Sequence, residues 1–198
     1  MLKNLLDKYS IILASGSPRR QQFLEELKIP FSIKFFDIEE IYPPQLIREE
    51  ITNYLAELKA KPFDTILKED ELIIASDTVV WFKNKALGKP KNHQESFDML
   101  SALSGNSHEV ISSICFKTKR ATKTIHDCTK VYFKNLTSDE INFYIDNYKP
   151  FDKAGSYGIQ EWIGYIGVEK IEGNYSNVMG FPLSKLYEFL KNEVNNPR

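Results

Sequence analysis

Short apolar runs that alternate with segments of helical period constrain this chain more than any other feature of its sequence. Residues 11–14, Ile-Ile-Leu-Ala, make an apolar run short enough for a buried strand. Ser17 then stands at a natural N-cap position. Pro18 takes the first helical position, where its missing N–H is harmless. The helix that follows carries Phe23, Leu24 and Leu27 on one face. Residues 31–36 read as a second strand, ahead of Glu39-Glu40 and a Pro43-Pro44 loop. Across residues 45–60, Ile47, Ile51, Tyr54, Leu55 and Leu58 recur at helical spacing, which predicts an amphipathic helix. Residues 72–75 and 79–82 are strand-like, and Asn84-Lys85 marks a turn in a β-ribbon.

Asn92 with Glu95, and Thr137 with Glu140, have the offset of a capping box. The first pair opens a helix with Phe97, Leu100 and Leu103 that ends near Gly105. The second opens a helix through Tyr148. Between them, residues 108–116 and 124–133 form a strand pair around a basic turn. Residues 163–171 read as a strand. Pro182 starts a last helix with Leu183, Leu186, Tyr187 and Leu190. Helices do not link every pair of strands, so the expected class is α/β or α+β with a mixed sheet.

A length of 198 residues suits one domain, or two small lobes around a cleft. The formal net charge of −1 gives no overall basic field for nucleic acid or an anionic membrane, so any anion site must be local. The opening MLKNLLDKYS spreads charges through its length and has no apolar stretch of signal-peptide size. No run approaches a membrane span, and a cytoplasmic location is the default expectation. The two cysteines, Cys115 and Cys128, do not make a metal or redox motif and are expected as buried reduced thiols.

Against this background the segment SGSPRR is unusual. A helix start presents unpaired N–H groups and partial positive charge. Arg19 and Arg20 add repulsion of about 0.3–1 kcal/mol each when exposed. An anion held by a strand, small-residue loop and helix start would offset that cost, and arginine grips phosphate bidentately. Two solvated surface arginines are the plain alternative. Neither a Walker A loop nor a GxGxxG fingerprint is present.

Other residues carry chemistry in the same provisional way. Asp77 follows an apolar run, as a carboxylate facing a site does, though turn-forming aspartates are common. Lys59 near a helix end and Lys89 in Gly-Lys-Pro fit either phosphate contacts or ordinary surface lysines. Glu39 and Glu40 could hold Mg²⁺ with Asp77 and substrate phosphates, or be a solvated acidic turn. In FDKAGSYGIQEW, Asp152, Lys153 and two glycines precede Gln160, whose amide can read a base edge; a glycine-rich connection into a strand is the alternative. His93, His108 and His126 lack metal-ligand spacing and read as structural or surface residues.

Taken in order, LASGSPRRQQFLEEL, LAELKA, SDTVV, LGKP, MLSALSGNSHEV and DKAGSYGIQ…IEGNYSNVMGFPL resemble the Maf family of nucleoside triphosphate pyrophosphatases. The resemblance runs from about Ile11 to Leu190. It implies a single Maf-like domain over residues 1–198, with a fold similar to the inosine triphosphate pyrophosphatases. That fold is an elongated, mixed twisted sheet flanked by helices around a central cleft, often in a homodimer. It also implies hydrolysis of a nucleoside triphosphate to the monophosphate and diphosphate with a divalent metal, Mg²⁺ or Mn²⁺.

By matched position the resemblance makes Asp77 the water-activating carboxylate. Ser15, Arg20, Lys59 and Lys89 become phosphate-binding residues, and Glu40 shares the metal with Asp77. Arg19, Thr78 and Gln160 match the base-selecting positions of the branch that prefers dTTP and UTP. Three positions depart from the usual pattern: Ser76 stands for Ala, Glu161 for Gly and Phe181 for Leu. Alternatives of other classes are a regulatory nucleotide-binding protein linked to arrest of septum formation, and a nucleic-acid binder. Within enzymes the alternative is a pyrophosphatase for CTP or a modified nucleotide.

Overall fold

The computed structural model describes residues 7–195, so the reading of residues 1–6 lies outside it. Its strands are β1 (Ser10–Leu13), β2 (Ser32–Ile33), β3 (Glu71–Phe82), β4 (Lys85–Leu87), β5 (Ser107–Lys117), β6 (Thr122–Phe133) and β7 (Val168–Glu172). They order as β2-β1-β3-β5-β6-β7, with β4 paired to β3. β1 runs parallel to β2 and β3, whereas β3–β4 and β6–β7 are antiparallel. The sheet is therefore mixed, as the sequence predicts.

The helices are α1 (Pro18–Glu26), α2 (Glu49–Ala60), α3 (His93–Leu103), α4 (Ser138–Tyr148), α5 (Trp162–Gly167), α6 (Tyr175–Val178) and α7 (Leu183–Asn195). The chain divides into two compact units. The first comprises residues 1–77, 112–127 and 180–198; the second comprises residues 78–111 and 128–179. Each has its own core. In the first, Ile12, Ile73 and Ala75 of the strands meet Ala56 and Ala60 of α2 and Phe63 of the 3₁₀ turn after it. In the second, Leu100 and Leu103 of α3 and Ile141, Tyr144 and Ile145 of α4 enclose Val80, Val131 and Phe133. Removing such side chains from water at about 25 cal/mol per Å² is what holds each unit together.

Local signals account for most element ends. Thr137 and Glu140 form a complete capping box at α4. Asn92 caps α3 by accepting from the Glu95 N–H, while the Glu95 carboxylate reaches the Lys91 N–H at 2.9 Å. β3 and β4 close through Lys83 and Asn84, both with positive φ (46° and 61°), as a two-residue hairpin turn demands.

Four expectations for secondary structure change. The runs at 72–75 and 79–82 are one strand, because Ser76, Asp77 and Thr78 keep extended backbone between them. The strand expected at 31–36 shrinks to Ser32 and Ile33, which pair with Ile12 and Leu13 at the sheet edge, leaving Phe35 and Phe36 exposed. The helix expected from 45 begins at Glu49. Arg48 sits at φ +51° and breaks the turn, and Ile47 is exposed. Residues 163–171 split into α5 and β7. A continuous apolar run does not distinguish strand from helix. Here the Glu161 carbonyl accepts from the Gly164 N–H at 2.9 Å. Only glycine fits at 164, where a Cβ would lie 1.8 Å from the Ile159 carbonyl oxygen. The cysteines also differ from expectation in part. Cys115 is buried, and burial pushes its thiol up to about 11, but Cys128 is exposed. No helix among the described residues is long and apolar enough to cross a membrane.

Candidate functional site

In the first unit the site begins where β1 ends. The Ala14 N–H still joins the ladder, donating to the Ile74 carbonyl at 2.8 Å. The chain then turns, and the Ser15 hydroxyl accepts from the Ser17 N–H at 3.2 Å. Gly16 passes under the Phe35 ring, where a Cβ would lie 3.0 Å from the ring edge. Ser17 takes the N-cap position predicted for it, but its side chain makes no cap bond. The first turn of α1 holds no acidic residue, only Arg19 and Arg20. The first turn of α1 thus carries two cations and no anion of its own.

Arg20 turns inward. Its Nη1 donates to the Ser76 carbonyl at 2.8 Å and to Ser15 Oγ at 3.3 Å, and its Nε donates to the Gly180 carbonyl at 3.1 Å. One guanidinium thus ties together the loop after β1, the backbone just before Asp77 and the segment that enters α7. Burial lowers its pKa to about 10 despite the opposing carboxylates of Asp77 and Glu40, so it stays protonated at neutral pH. Arg19 is half-buried beside it.

Asp77 is buried on β3, and its Oδ1 lies 2.5 Å from Lys59 Nζ. Lys59 comes from the last turn of α2, where a cation suits the helix dipole. The same ammonium lies 3.0 Å from Glu40 Oε1. Two carboxylates from distant segments therefore converge on one cationic point. Glu40 makes this contact although it is exposed, as is Glu39 beside it. Among the described residues no group of three or more His, Cys, Asp or Glu could hold a metal by itself. The Asp77–Glu40 pair suits a cation that takes its remaining ligands from phosphate and water, as Mg²⁺ commonly does.

Ser76 stands where the resemblance implies alanine. It is fully buried, and its hydroxyl has no hydrogen-bond partner among the described residues. An unpaired buried hydroxyl costs about 1–3 kcal/mol. Ser76→Ala is expected to raise Tm by roughly 2–4 °C per kcal/mol recovered, without lowering turnover. Thermal denaturation checks it; an unchanged or lower Tm counts against the assignment.

In the second unit Thr78 is half-buried on β3, directly after Asp77. Lys89 is exposed after β4, and the Gly88 carbonyl before it accepts from the Gly155 N–H at 3.1 Å. That bond joins the LGKP and DKAG segments. Gln160 is half-buried on a turn closed by the Glu161 N–H donating to the Gly158 carbonyl at 3.0 Å. The sequence gives no sign of Glu161's partners. Its Oε1 lies 3.1 Å from Lys153 Nζ, and its Oε2 accepts from the Tyr144 hydroxyl. Asp152, exposed, lies 2.7 Å from the same lysine. Of the histidines, His93 faces Asp146 at the surface, His126 is exposed, and His108 is buried against Tyr157.

Residues 10–193 match the family model described as Maf-like protein. A dTTP/UTP pyrophosphatase of Flavobacterium johnsoniae is 59% identical over 190 residues, covering 96% of this chain and 98% of that one. A dTTP/UTP pyrophosphatase of Flavobacterium psychrophilum is 54% identical over 194 residues, covering 98% and 100%. Among solved structures, the Staphylococcus aureus Ham1 protein is similar in fold, with a TM-score of 0.52 at 16% identity over 93% of this chain and 99% of that one. A match over nearly the full length, with near-complete coverage of relatives more than half identical, leaves one conclusion: this chain belongs to the Maf-like protein family.

Proposed function

We propose that this chain hydrolyses nucleoside triphosphates, dTTP and UTP foremost, to the nucleoside monophosphate and diphosphate. The observation that carries this reading is the convergence of Asp77 and Glu40 on Lys59, beside a loop and helix start held by Arg20. The two Flavobacterium relatives, both dTTP/UTP pyrophosphatases, support it.

Water attacks the α-phosphorus, a new P–O bond forms, and the bond to the bridging oxygen breaks. Diphosphate leaves with that electron pair. Asp77 orients the water and takes its proton. Lys59, already between two carboxylates, balances charge on the polyphosphate, with Ser15, Arg20 and Lys89 as further phosphate-binding groups. Arg20 has a second duty: by holding the Ser76 carbonyl it fixes the backbone from which Asp77 projects. Arg19, Thr78 and Gln160 select the pyrimidine. Little covalent chemistry falls to the protein, so positioning and charge stabilisation carry the rate. Glu40 and Asp77 would hold a divalent cation, Mg²⁺ or Mn²⁺, which would supply charge neutralisation to the phosphates. The setting is the cytoplasm, and the acting form is one domain, able to pair as a homodimer.

Diphosphate release from dTTP, UTP, CTP, 7-methyl-GTP, ITP and ATP, with Mg²⁺ or Mn²⁺, tests the proposal. Selective hydrolysis of dTTP and UTP is the expected result. Preference for another base would keep the chemistry and overturn the roles of Arg19, Thr78 and Gln160. Tight nucleotide binding with no hydrolysis would replace the enzyme by a regulatory nucleotide-binding protein.

A further inference from the structure

Gln160 sits on a short turn, residues 158–161, and a reader of a base edge is only as selective as its backbone is fixed. The Tyr144 hydroxyl fixes both ends of that turn. It accepts from the Gly158 N–H at 3.0 Å and donates to Glu161 Oε2. Tyr144 itself is fully buried on α4, in the core of its unit, so the anchor does not move with the surface. The other oxygen of Glu161 is held by Lys153, itself largely buried, at 3.1 Å. The carboxylate lies flat against the turn, so that a Cβ at Gly158 would stand 2.8 Å from its Cδ. From the far side the Tyr165 hydroxyl donates to the Gln160 carbonyl at 2.9 Å. Burial together with the bond to Glu161 pushes the Tyr144 phenol well above its ordinary pKa, so it remains a donor throughout the working range.

Both carboxylate oxygens of Glu161 are thus engaged, and each partner belongs to a different element around Gln160. Glycine at 161, the residue that the resemblance implies there, would remove both anchors. It would leave Lys153 with the exposed Asp152 as its one acidic partner among the described residues.

We propose that Glu161 is a positioning residue for base selection, which locks the Gln160 turn through Tyr144 and Lys153. The inference rests on the pyrimidine pyrophosphatase reading above. It predicts a split in the kinetics. Losing the lock disorders the reader of the base and leaves the reacting carboxylate alone. Glu161→Gly should raise KM for dTTP and UTP by about tenfold, with kcat within roughly threefold of wild type. It should also shrink the ratio of kcat/KM between dTTP and CTP by about the same factor. Glu161→Gln keeps an acceptor for Tyr144 and should recover most of the KM.

Steady-state kinetics on dTTP, UTP and CTP, alongside Tm and circular dichroism, decide the matter. Tyr144→Phe guards against failure of Glu161→Gly to fold, because it keeps the ring in the core and removes only the bridging hydroxyl. Its KM for dTTP should rise several-fold with kcat retained. A folded Glu161→Gly or Tyr144→Phe protein with wild-type KM and wild-type selectivity would overturn the positioning role and leave the pyrophosphatase reading intact. A lowered Tm with unmoved kinetics has the same force, since it makes the network structural only. Wild-type protein that hydrolyses none of the three nucleotides would overturn both.

Discussion

Asp77→Asn is expected to lower kcat for diphosphate release by about a thousandfold while the protein stays folded. The carboxylamide has nearly the same shape, so β3 keeps its register and its cover. What is lost is the group that takes a proton from the attacking water, a function worth about 10²–10⁴ in rate. The charge balance around Lys59 also changes, since among the described residues its ammonium then keeps only Glu40, at 3.0 Å, as an anionic partner. Lys59 is 16% exposed and Glu40 41%, so water shares in solvating what remains. The stability cost should therefore stay near 1–3 kcal/mol, short of unfolding a domain of ordinary stability. The checks are kcat on dTTP and UTP and a thermal melt of the same preparation. A variant within tenfold of wild type would remove Asp77 from the role of base.

The contrast between what the sequence makes legible and what it hides follows the range of the interactions. Caps are short-range: Thr137 and Glu140 face each other across a single helical turn, so the pattern and the bond are nearly the same fact. The mixed sheet is legible for a similar reason, because the stretch from β5 to β6 leaves room for only a short turn between strands. The edge is less so. Residues 31–36 have the period of a strand, but pairing needs a neighbour, and β1 offers only Ile12 and Leu13 there. Asp77, Lys59 and Glu40 are each candidates when read alone. Their meeting depends on α2 and β3 packing together, which no local spacing encodes. Arg20 is the clearest limit. As a sequence it offers a phosphate-binding cation, and the structure adds a 2.8 Å hydrogen bond from its Nη1 to a backbone carbonyl 56 residues away. Carbonyls carry no sequence signature, since every residue has one. Glu161 stands between these cases: its departure from glycine is visible in the chain, and its grip on Tyr144 and Lys153 appears only once α4 is folded.

His108 carries the second large effect, on stability rather than rate. It is 2% exposed on β5, with its ring edge-on to Phe133 at 5.2 Å and to Tyr157 at 5.3 Å. Nε2 shares a 2.7 Å hydrogen bond with the Tyr157 hydroxyl, and Nδ1 is buried with no partner among the described residues. An imidazolium there would need to place its second N–H against apolar surroundings, and burial holds the pKa down to about 4, against 6.5 for an ordinary histidine. The unfolded chain therefore binds a proton between these values and the folded chain does not. Stability is full above pH 6.5 and falls as pH drops toward 4, by about 3 kcal/mol in all. In Tm that is roughly 6–12 °C for a chain of this size. Urea titrations at pH 7, 6, 5 and 4.5 should show the unfolding free energy declining by about 1.4 kcal/mol per pH unit below 6.5. Other groups add to the slope. Glu49, held down by a backbone hydrogen bond and by Arg48, loses stability in the same direction only at still lower pH. His108→Phe separates the contributions. It keeps an aromatic ring edge-on to Phe133 and Tyr157 but binds no proton, so its slope between pH 6.5 and 4.5 should be flatter than wild type by one proton's worth. An equal slope in both proteins would mean that His108 takes up its proton in the folded state as readily as in the unfolded, and that its burial is not what makes this protein acid-sensitive.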